Sequence, residues 1–295
     1  MRWGFFFVPF LLGMGQKPAS ALFGPRLAYF SHKKMQFFAT LPTFSRFLMY
    51  FGGMNRRVWY QTHLFSRILC ATALLLAAAV FSACVERSVE RGNTALRIGD
   101  FDRAVTNFSK ALDDEPANRD ARYGLALAYF SIAEDKERLK QPTLEMWEKT
   151  VNEFRILSKV DSSESISGTY STALFYLARA TLYKDGRANV LPLLDRSIRL
   201  DSANYFSYNL KALLFANLGR VDEAKKIYAF IVTKEPKFSS AYLNLGNLYW
   251  AEGDIGSAWD IWSMGHEAIP EDAELSRWTR VAEDSLGAMV RAGEL

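Results

Sequence analysis

The sequence predicts an all-α fold, a solenoid of about five stacked helix-turn-helix units that ends in a capping helix. Three observations lead to this prediction. Small, aromatic and proline residues recur at fixed distances from position 92 onward, glycines recur at the corresponding turns, and positions 271–295 carry an amphipathic pattern. Apolar residues spaced three and four positions apart indicate helices that each bury one face.

Positions 54–83, ahead of the repeats, have the features of an export signal. Three arginines precede an apolar run over 68–80, and the small residues Ser82 and Ala83 lie directly before Cys84. A positive start, an apolar stretch of about 7 to 15 residues and small residues before a cleavage site make up a secretory signal. The segment resembles a bacterial lipoprotein signal, and this resemblance implies cleavage before Cys84 and attachment of lipid to it.

Two alternatives stay open for the apolar run, an uncleaved membrane anchor or a buried core helix. The run is short for a membrane span, which needs about 20 residues. Positions 1–53 are rich in Phe, Pro and Gly, and we expect a poorly ordered leader there, with Met54 as a candidate for the true start. The predicted mature chain then consists of a solenoid over 84–270 and a capping helix over 271–295.

The internal repeat is the basis of the predicted solenoid. Five positions recur with internal steps of 12, 4, 3 and 5 residues, and the last two copies lie 34 residues apart. The three clearest copies are Gly92, Ala104, Phe108, Ala111 and Pro116; Ala212, Ala224, Tyr228, Ile231 and Pro236; and Gly246, Ala258, Trp262, Gly265 and Pro270.

Each recurring residue type has a physical role in a helical hairpin. Small residues let two helices approach closely, and a large aromatic residue fills the space between neighbouring hairpins. Proline stops the second helix because it has no amide hydrogen. The turn within each hairpin is expected to contain a glycine in the left-handed conformation, at Gly99, Gly219 and Gly253.

A 34-residue helix-turn-helix period resembles the tetratricopeptide repeat (TPR) family. The resemblance covers 85–272 and implies a right-handed solenoid. A weaker copy contains Ala178, and another contains Ala126, but these two residues lie 52 positions apart. The 18 additional residues are therefore placed around 133–168, in loops predicted over 133–142 and 161–168.

Charge and composition exclude several classes of function. Positions 1–83 contain nine of the 36 Lys and Arg residues and no Asp or Glu, so the predicted mature chain has a net charge of −5. It lacks the basic footprint of a nucleic-acid-binding domain. After Cys84 the chain has no further cysteine, and His266 is its single histidine. We therefore predict no metal site, no cofactor and no catalytic centre.

Binding is the function that the sequence favours. The TPR resemblance implies that the first helix of each hairpin lines a concave groove, in which aromatic and Asn side chains dominate. Aromatic residues are preferred anchors at interfaces, and Asn both donates to and accepts from a peptide backbone. The predicted groove residues are Asn93, Arg97, Tyr123, Phe130, Phe175, Arg179, Tyr183, Phe206, Asn209, Leu213, Asn217, Leu243, Asn247 and Trp250.

Two readings of the function follow. The first is an adaptor that is lipid-anchored at Cys84 in a bacterial cell envelope, faces the periplasm from the outer membrane, and docks protein or peptide partners in its groove during envelope assembly. The alternative is a transport accessory or carrier that encloses a small apolar ligand together with a solute-binding partner. A closed tunnel lined by Phe175, Phe206 and Trp250 favours the carrier, and an open groove favours the adaptor.

Overall fold

Helices and short turns make up the described chain. The computed structural model describes the backbone of residues 56–160 and 163–293, so the predicted leader over 1–53 lies outside the described residues. Eleven helices are present there. They are α1 (Arg56–Arg97), α2 (Phe101–Asp114), α3 (Arg119–Arg138), α4 (Leu144–Leu157), α5 (Glu164–Lys184), α6 (Leu191–Leu200), α7 (Tyr205–Asn217), α8 (Val221–Lys234), α9 (Ser239–Ala251), α10 (Ile255–Ala268) and α11 (Ala273–Ala292).

The chain divides into two units, Met1–Ala79 and Val80–Leu295. In the described part of the first unit, large apolar side chains such as Leu64, Phe65 and Leu74 are exposed. No described helix carries an apolar stretch of the length that a bilayer requires. Cys84 belongs to the second unit, where its side chain is exposed on α1.

The second unit is a solenoid of five hairpins. Each helix packs on the next along the chain, from α2 through to α11. The hairpins are formed by the end of α1 with α2, by α3 with α4, by α5 with α6, by α7 with α8 and by α9 with α10. The all-α solenoid predicted from the repeat is therefore confirmed.

The turns of the first, fourth and fifth hairpins match the sequence prediction. Gly99, Gly219 and Gly253 have φ angles of 75°, 76° and 82°, a conformation that costs energy for residues with a Cβ atom. In the first and last of these turns the next residue, Asp100 or Asp254, accepts a hydrogen bond from an amide in the first turn of the following helix. Such a cap stabilises a helix start by about 1 kcal/mol.

Close approach of the helices depends on the small residues of the repeat. Phe108, Tyr228 and Trp262, the three aromatic repeat positions, are fully or almost fully buried. A Cβ atom added to Gly92 would lie 2.6 Å from the ring of Phe108. The glycine is thus required so that the aromatic ring of the second helix can contact the backbone of the first.

Two predicted loops are mostly helical, and the loop prediction is wrong for them. The first of the two segments, 133–142, begins inside α3, which continues to Arg138, and the second, 161–168, contains the start of α5 at Glu164. Ala133, Ile166 and Tyr170 are buried in one core cluster with Trp147 of α4. In the described parts of these segments, charged and Ser residues such as Glu134, Arg138 and Ser165 are exposed on the two helices.

A buried polar seam joins the third and fourth hairpins. The hydroxyl oxygens of Ser171 and Ser197 lie 2.8 Å apart, those of Ser197 and Ser207 lie 2.7 Å apart, and the Asn204 amide donates to the Ser171 hydroxyl at 2.9 Å. Each of these buried side chains has a hydrogen-bond partner, and a buried polar network stabilises a fold under this condition.

Candidate functional site: the groove of first helices

The first helices of the hairpins carry all the predicted groove residues. Asn93 and Arg97 lie on α1, Tyr123 and Phe130 on α3, Phe175, Arg179 and Tyr183 on α5, Phe206, Asn209, Leu213 and Asn217 on α7, and Leu243, Asn247 and Trp250 on α9. Side-chain contacts between successive first helices, described next, bring α3, α5, α7 and α9 onto one surface.

An aromatic row crosses the middle of this surface. We define it as Phe130, Tyr176, Phe175, Phe206 and Phe238. Trp147 of α4 lies between the first two members, edge-on to the Phe130 ring at 5.0 Å and stacked on the Tyr176 ring at 4.7 Å. From there the ring centroids follow at 5.2 Å, 5.8 Å and 5.2 Å to Phe238.

Exposure varies strongly along the row. Phe206 is 61% exposed, although it lies between Phe175 and Phe238. An exposed aromatic ring held by two neighbouring rings is rigid and offers a large apolar contact area at little cost in side-chain entropy. The middle of the row is therefore suited to bind an apolar side chain of another molecule.

A cation, Arg179, lies beside the row. Arg179 forms an ion pair with Glu137, and its guanidinium carbon is 4.7 Å from the centroid of the Tyr176 ring. Glu137 also accepts a hydrogen bond of 3.2 Å from the indole nitrogen of Trp147. Arg179 is held in place by these contacts, and with 49% of its side chain exposed it keeps donors for an acidic or carbonyl group.

Asparagine side chains contribute to the section of the groove toward the C-terminus. The Asn244 amide of α9 donates to the Asn209 side chain of α7 at 3.1 Å. Burial raises the pKa of the nearby Tyr228 hydroxyl well above its usual range, and the Asn244 side chain opposes this rise only in part. Tyr228 therefore stays neutral, and the two Asn side chains provide the polar groups here.

Trp250 has a mixed role. Its ring lies 5.7 Å from Trp262 and 6.4 Å from Trp278, so it joins the last hairpin to α11. It is half-buried, whereas its neighbour Asn247 is exposed. Truncation of Trp250 would therefore affect stability as well as the groove surface, and Asn247 reports on the groove alone.

Other predicted groove residues stand apart from the row. Tyr183 is 94% exposed near the end of α5, and Asn217 is exposed at the end of α7. Asn93 and Arg97 are exposed on α1. Tyr123, in contrast, packs with its ring edge toward Phe154 at 6.3 Å and supports the core of the second hairpin.

Sequence reasoning missed several residues that shape this surface. Tyr176 and Phe238 are not among the predicted groove residues, although Tyr176 is next to Phe175 and Phe238 directly precedes α9. Glu137 was missed because its segment was predicted as a loop. The helical spacing of Phe130, Ala133 and Glu137 was the available signal.

One open depression of the described surface has a volume of about 690 Å³ and is lined by Phe130, Glu164, Ser165, Gly168, Thr169, Thr172 and Asp201. Two carboxylates contribute to its wall, and of the row only Phe130 does. Within residues 56–160 and 163–293 no group of three or more His, Cys, Asp or Glu side chains is arranged to hold a metal ion.

Comparison with known proteins finds a similarity to one family. A family profile described as tetratricopeptide repeat matches residues 89–136 and 209–261, which contain the hairpin turns at Gly99, Gly219 and Gly253. Over these two segments the chain is similar to the tetratricopeptide repeat family. The predicted resemblance to this family is confirmed, whereas the lipoprotein signal stays a prediction.

The individual proteins to which the chain is similar share low sequence identity with it. The human "Tetratricopeptide repeat protein 6" is 26% identical over 196 residues, which is 60% of this chain and 37% of the relative. The chain thus spans little more than a third of that relative. Among solved structures, MamA is 20% identical with a TM-score of 0.48, covering 65% of this chain and 96% of its own. YrrB, described as "a TPR protein with an unusual peptide-binding site", is 18% identical with a TM-score of 0.46, covering 68% and 97%.

Proposed function

We propose that the protein is an adaptor that binds an apolar segment of a partner protein in its groove. It is anchored by lipid at Cys84 in a bacterial cell envelope and faces the periplasm from the outer membrane, where it serves envelope assembly. The exposed, rigidly held ring of Phe206 in the aromatic row carries this proposal. The proposed function is binding and includes no chemical reaction.

The chemistry of the partner follows from the groove. Phe175 and Phe206 offer an apolar surface, Arg179 offers donors beside it, and Asn209 and Asn247 are placed to pair with a peptide backbone. A segment with a large apolar side chain next to a carboxylate or carbonyl group fits this arrangement. The groove is open, and this favours a polypeptide partner over an enclosed small ligand.

The Phe206→Ala variant tests partner binding. We expect affinity for the partner to fall about tenfold, which corresponds to roughly 1.4 kcal/mol, because an aromatic anchor is lost. A photoreactive phenylalanine analogue at position 206 should give a discrete crosslinked product in native envelopes, and mass spectrometry would identify the partner.

Phe230 provides the matched control. It is an exposed phenylalanine of the same hairpin, 38% exposed, but it lies on the second helix, α8, and packs on Tyr208 at 5.1 Å. Phe230→Ala is expected to leave partner affinity unchanged. Equal crosslinking from positions 206 and 230, or equal loss of affinity in both variants, would contradict the groove proposal.

Lipid anchoring is supported by the signal-like sequence of positions 54–83 and by the exposed position of Cys84. The Cys84→Ser variant of the full chain is expected to move from the membrane to the soluble fraction, because acyl chains contribute about 0.8 kcal/mol for each buried CH₂ group. Fractionation of cells and labelling with radioactive palmitate measure this effect.

Cys70→Ser is the control for the anchoring experiment, since Cys70 lies within the segment that is predicted to be removed. This variant should keep both the label and the membrane location. The anchoring proposal fails if the Cys84→Ser protein stays with the membrane to the same extent as the unaltered chain, whatever the result for the groove.

A further inference from the structure

The first hairpin carries a cationic pocket outside the groove. We call it the arginine pocket: it has a volume of about 330 Å³ and is lined by Arg87, Glu90, Arg91, Thr94, Ala95, Ile98 and Arg103. Arg103 comes from α2, and the other residues come from α1. All three arginine side chains are exposed.

The charge of the arginine pocket is unbalanced. Three arginines and one acidic residue, Glu90, line it. Among the ion pairs formed within the described residues, none involves Arg87, Arg91 or Arg103. Asp100, the acid next to Arg103 in space, accepts a hydrogen bond of 3.1 Å from the backbone amide of that residue. An arginine fork binds phosphate oxygens in pairs, so the pocket is suited to a phosphate group.

The position of Cys84 relates this pocket to the membrane. Arg87 and Arg91 follow Cys84 by three and seven residues on α1, spacings that place all three side chains on one face of a helix. The rise along the helix axis from Cys84 is roughly 4.5 Å to Arg87 and 10.5 Å to Arg91. Both distances are comparable with the Debye length of about 8 Å at physiological ionic strength.

We propose that the arginine pocket binds the phosphate of anionic lipid headgroups in the membrane that carries the Cys84 anchor. The inference rests on the proposed lipid anchoring. Basic residues close to an anionic membrane surface are attracted to it, and firm membrane attachment commonly combines an acyl anchor with a basic patch. The bound headgroup would fix the orientation of the first hairpin, and thereby of the solenoid, toward the membrane.

Lipid retention by the full chain in neutral detergent tests the proposal. Native mass spectrometry would compare retention of phosphatidylglycerol with that of phosphatidylcholine. We expect a preference for phosphatidylglycerol that falls about tenfold or more in the Arg87→Gln, Arg91→Gln, Arg103→Gln triple variant. The control triple variant replaces Lys226, Lys234 and Lys237 by Gln, three exposed cations on or after α8, and should keep the preference.

Any of the following results would overturn the proposal. Equal retention of both lipids, or an unchanged preference in the triple variant, rules out headgroup binding at the pocket. If inorganic phosphate at millimolar concentration displaces phosphatidylglycerol completely, the pocket is a free-phosphate site. Arg91→Gln alone, with an unchanged circular dichroism spectrum, gives the same test if the triple variant does not fold. This measurement needs no acyl chain, so its failure is distinguishable from failure of Cys84→Ser to leave the membrane.

Discussion

Trp147→Ala is expected to lower the free energy of unfolding by about 3 to 5 kcal/mol, the range for removal of a fully buried large aromatic side chain. The Trp147 side chain has no exposed surface. Its indole stacks on Tyr176, meets Phe130 edge-on and donates to Glu137. The substitution would therefore remove contacts to α3 and α5 at once and leave a cavity between them.

The loss of stability in the Trp147→Ala variant should be confined to the neighbouring helices of the solenoid. Each repeat of such a fold contacts only its neighbours, so α3, α4 and α5 are expected to lose hydrogen-exchange protection first, while α9, α10 and α11 keep theirs. Thermal unfolding followed by circular dichroism measures the overall effect. Uniform loss of protection over 85–292 would contradict the inferred nearest-neighbour coupling.

Trp147→Phe is the graded control. The smaller ring preserves the aromatic contacts but removes the donor to Glu137, so a cost of about 1 to 2 kcal/mol is expected. Arg179 would then be the remaining partner of Glu137. A Trp147→Phe variant as unstable as Trp147→Ala would mean that the hydrogen bond to Glu137, rather than packing, dominates the contribution of this residue.

Local patterns in the sequence were sufficient to predict the helical hairpins. The glycine turn at Gly219 and the buried ring of Tyr228 depend on backbone sterics and side-chain size, both of which act within a single repeat. A fixed spacing of these residues therefore predicts the helices, the turn between them and the residues that face the core. The placement of groove residues on first helices came from the resemblance to the TPR family and not from this spacing.

Contacts between distant segments could not be read from the same patterns. The segment around Glu137 looks solvated because charged residues dominate it, yet it is helical because Ala133 packs into the core and Glu137 pairs with Trp147 and Arg179. The seam through Ser171 and Ser197 is a similar case. Serine predicts exposure, yet in the core these two hydroxyls, 26 residues apart, bond to each other and to the side chains of Ser207 and Asn204. In both cases the contacts that stabilise the observed structure come from residues distant in the sequence.

Gly246→Ala is expected to cost about 1 to 3 kcal/mol, the range for inserting atoms into a packed core. A Cβ atom at this position would lie 2.2 Å from the indole nitrogen of Trp262, which is fully buried. The indole would have to shift, and its hydrogen bond of 3.4 Å to the carbonyl of Leu243 would be lost. Thermal unfolding should show the loss clearly.

Gly256→Ala is the matched control, because the same substitution is made in the neighbouring helix with the opposite expected sign. At Gly256 the added Cβ meets only Asp254 Oδ1, at an ordinary distance of 3.8 Å. Alanine favours a helix over glycine by up to about 1 kcal/mol, so this variant should be unchanged or slightly stabilised. Equal destabilisation by both substitutions would exclude steric overlap with Trp262 as the cause.

A double-mutant cycle separates overlap from other effects of Gly246→Ala. Trp262→Phe alone should destabilise the last hairpin because a smaller ring leaves a cavity. If overlap with the indole is the cause, the cost of the Gly246→Ala, Trp262→Phe pair is smaller than the sum of the single costs, since the added methyl group fills part of the space that the indole leaves. Additive costs would show that alanine disturbs α9 independently of Trp262.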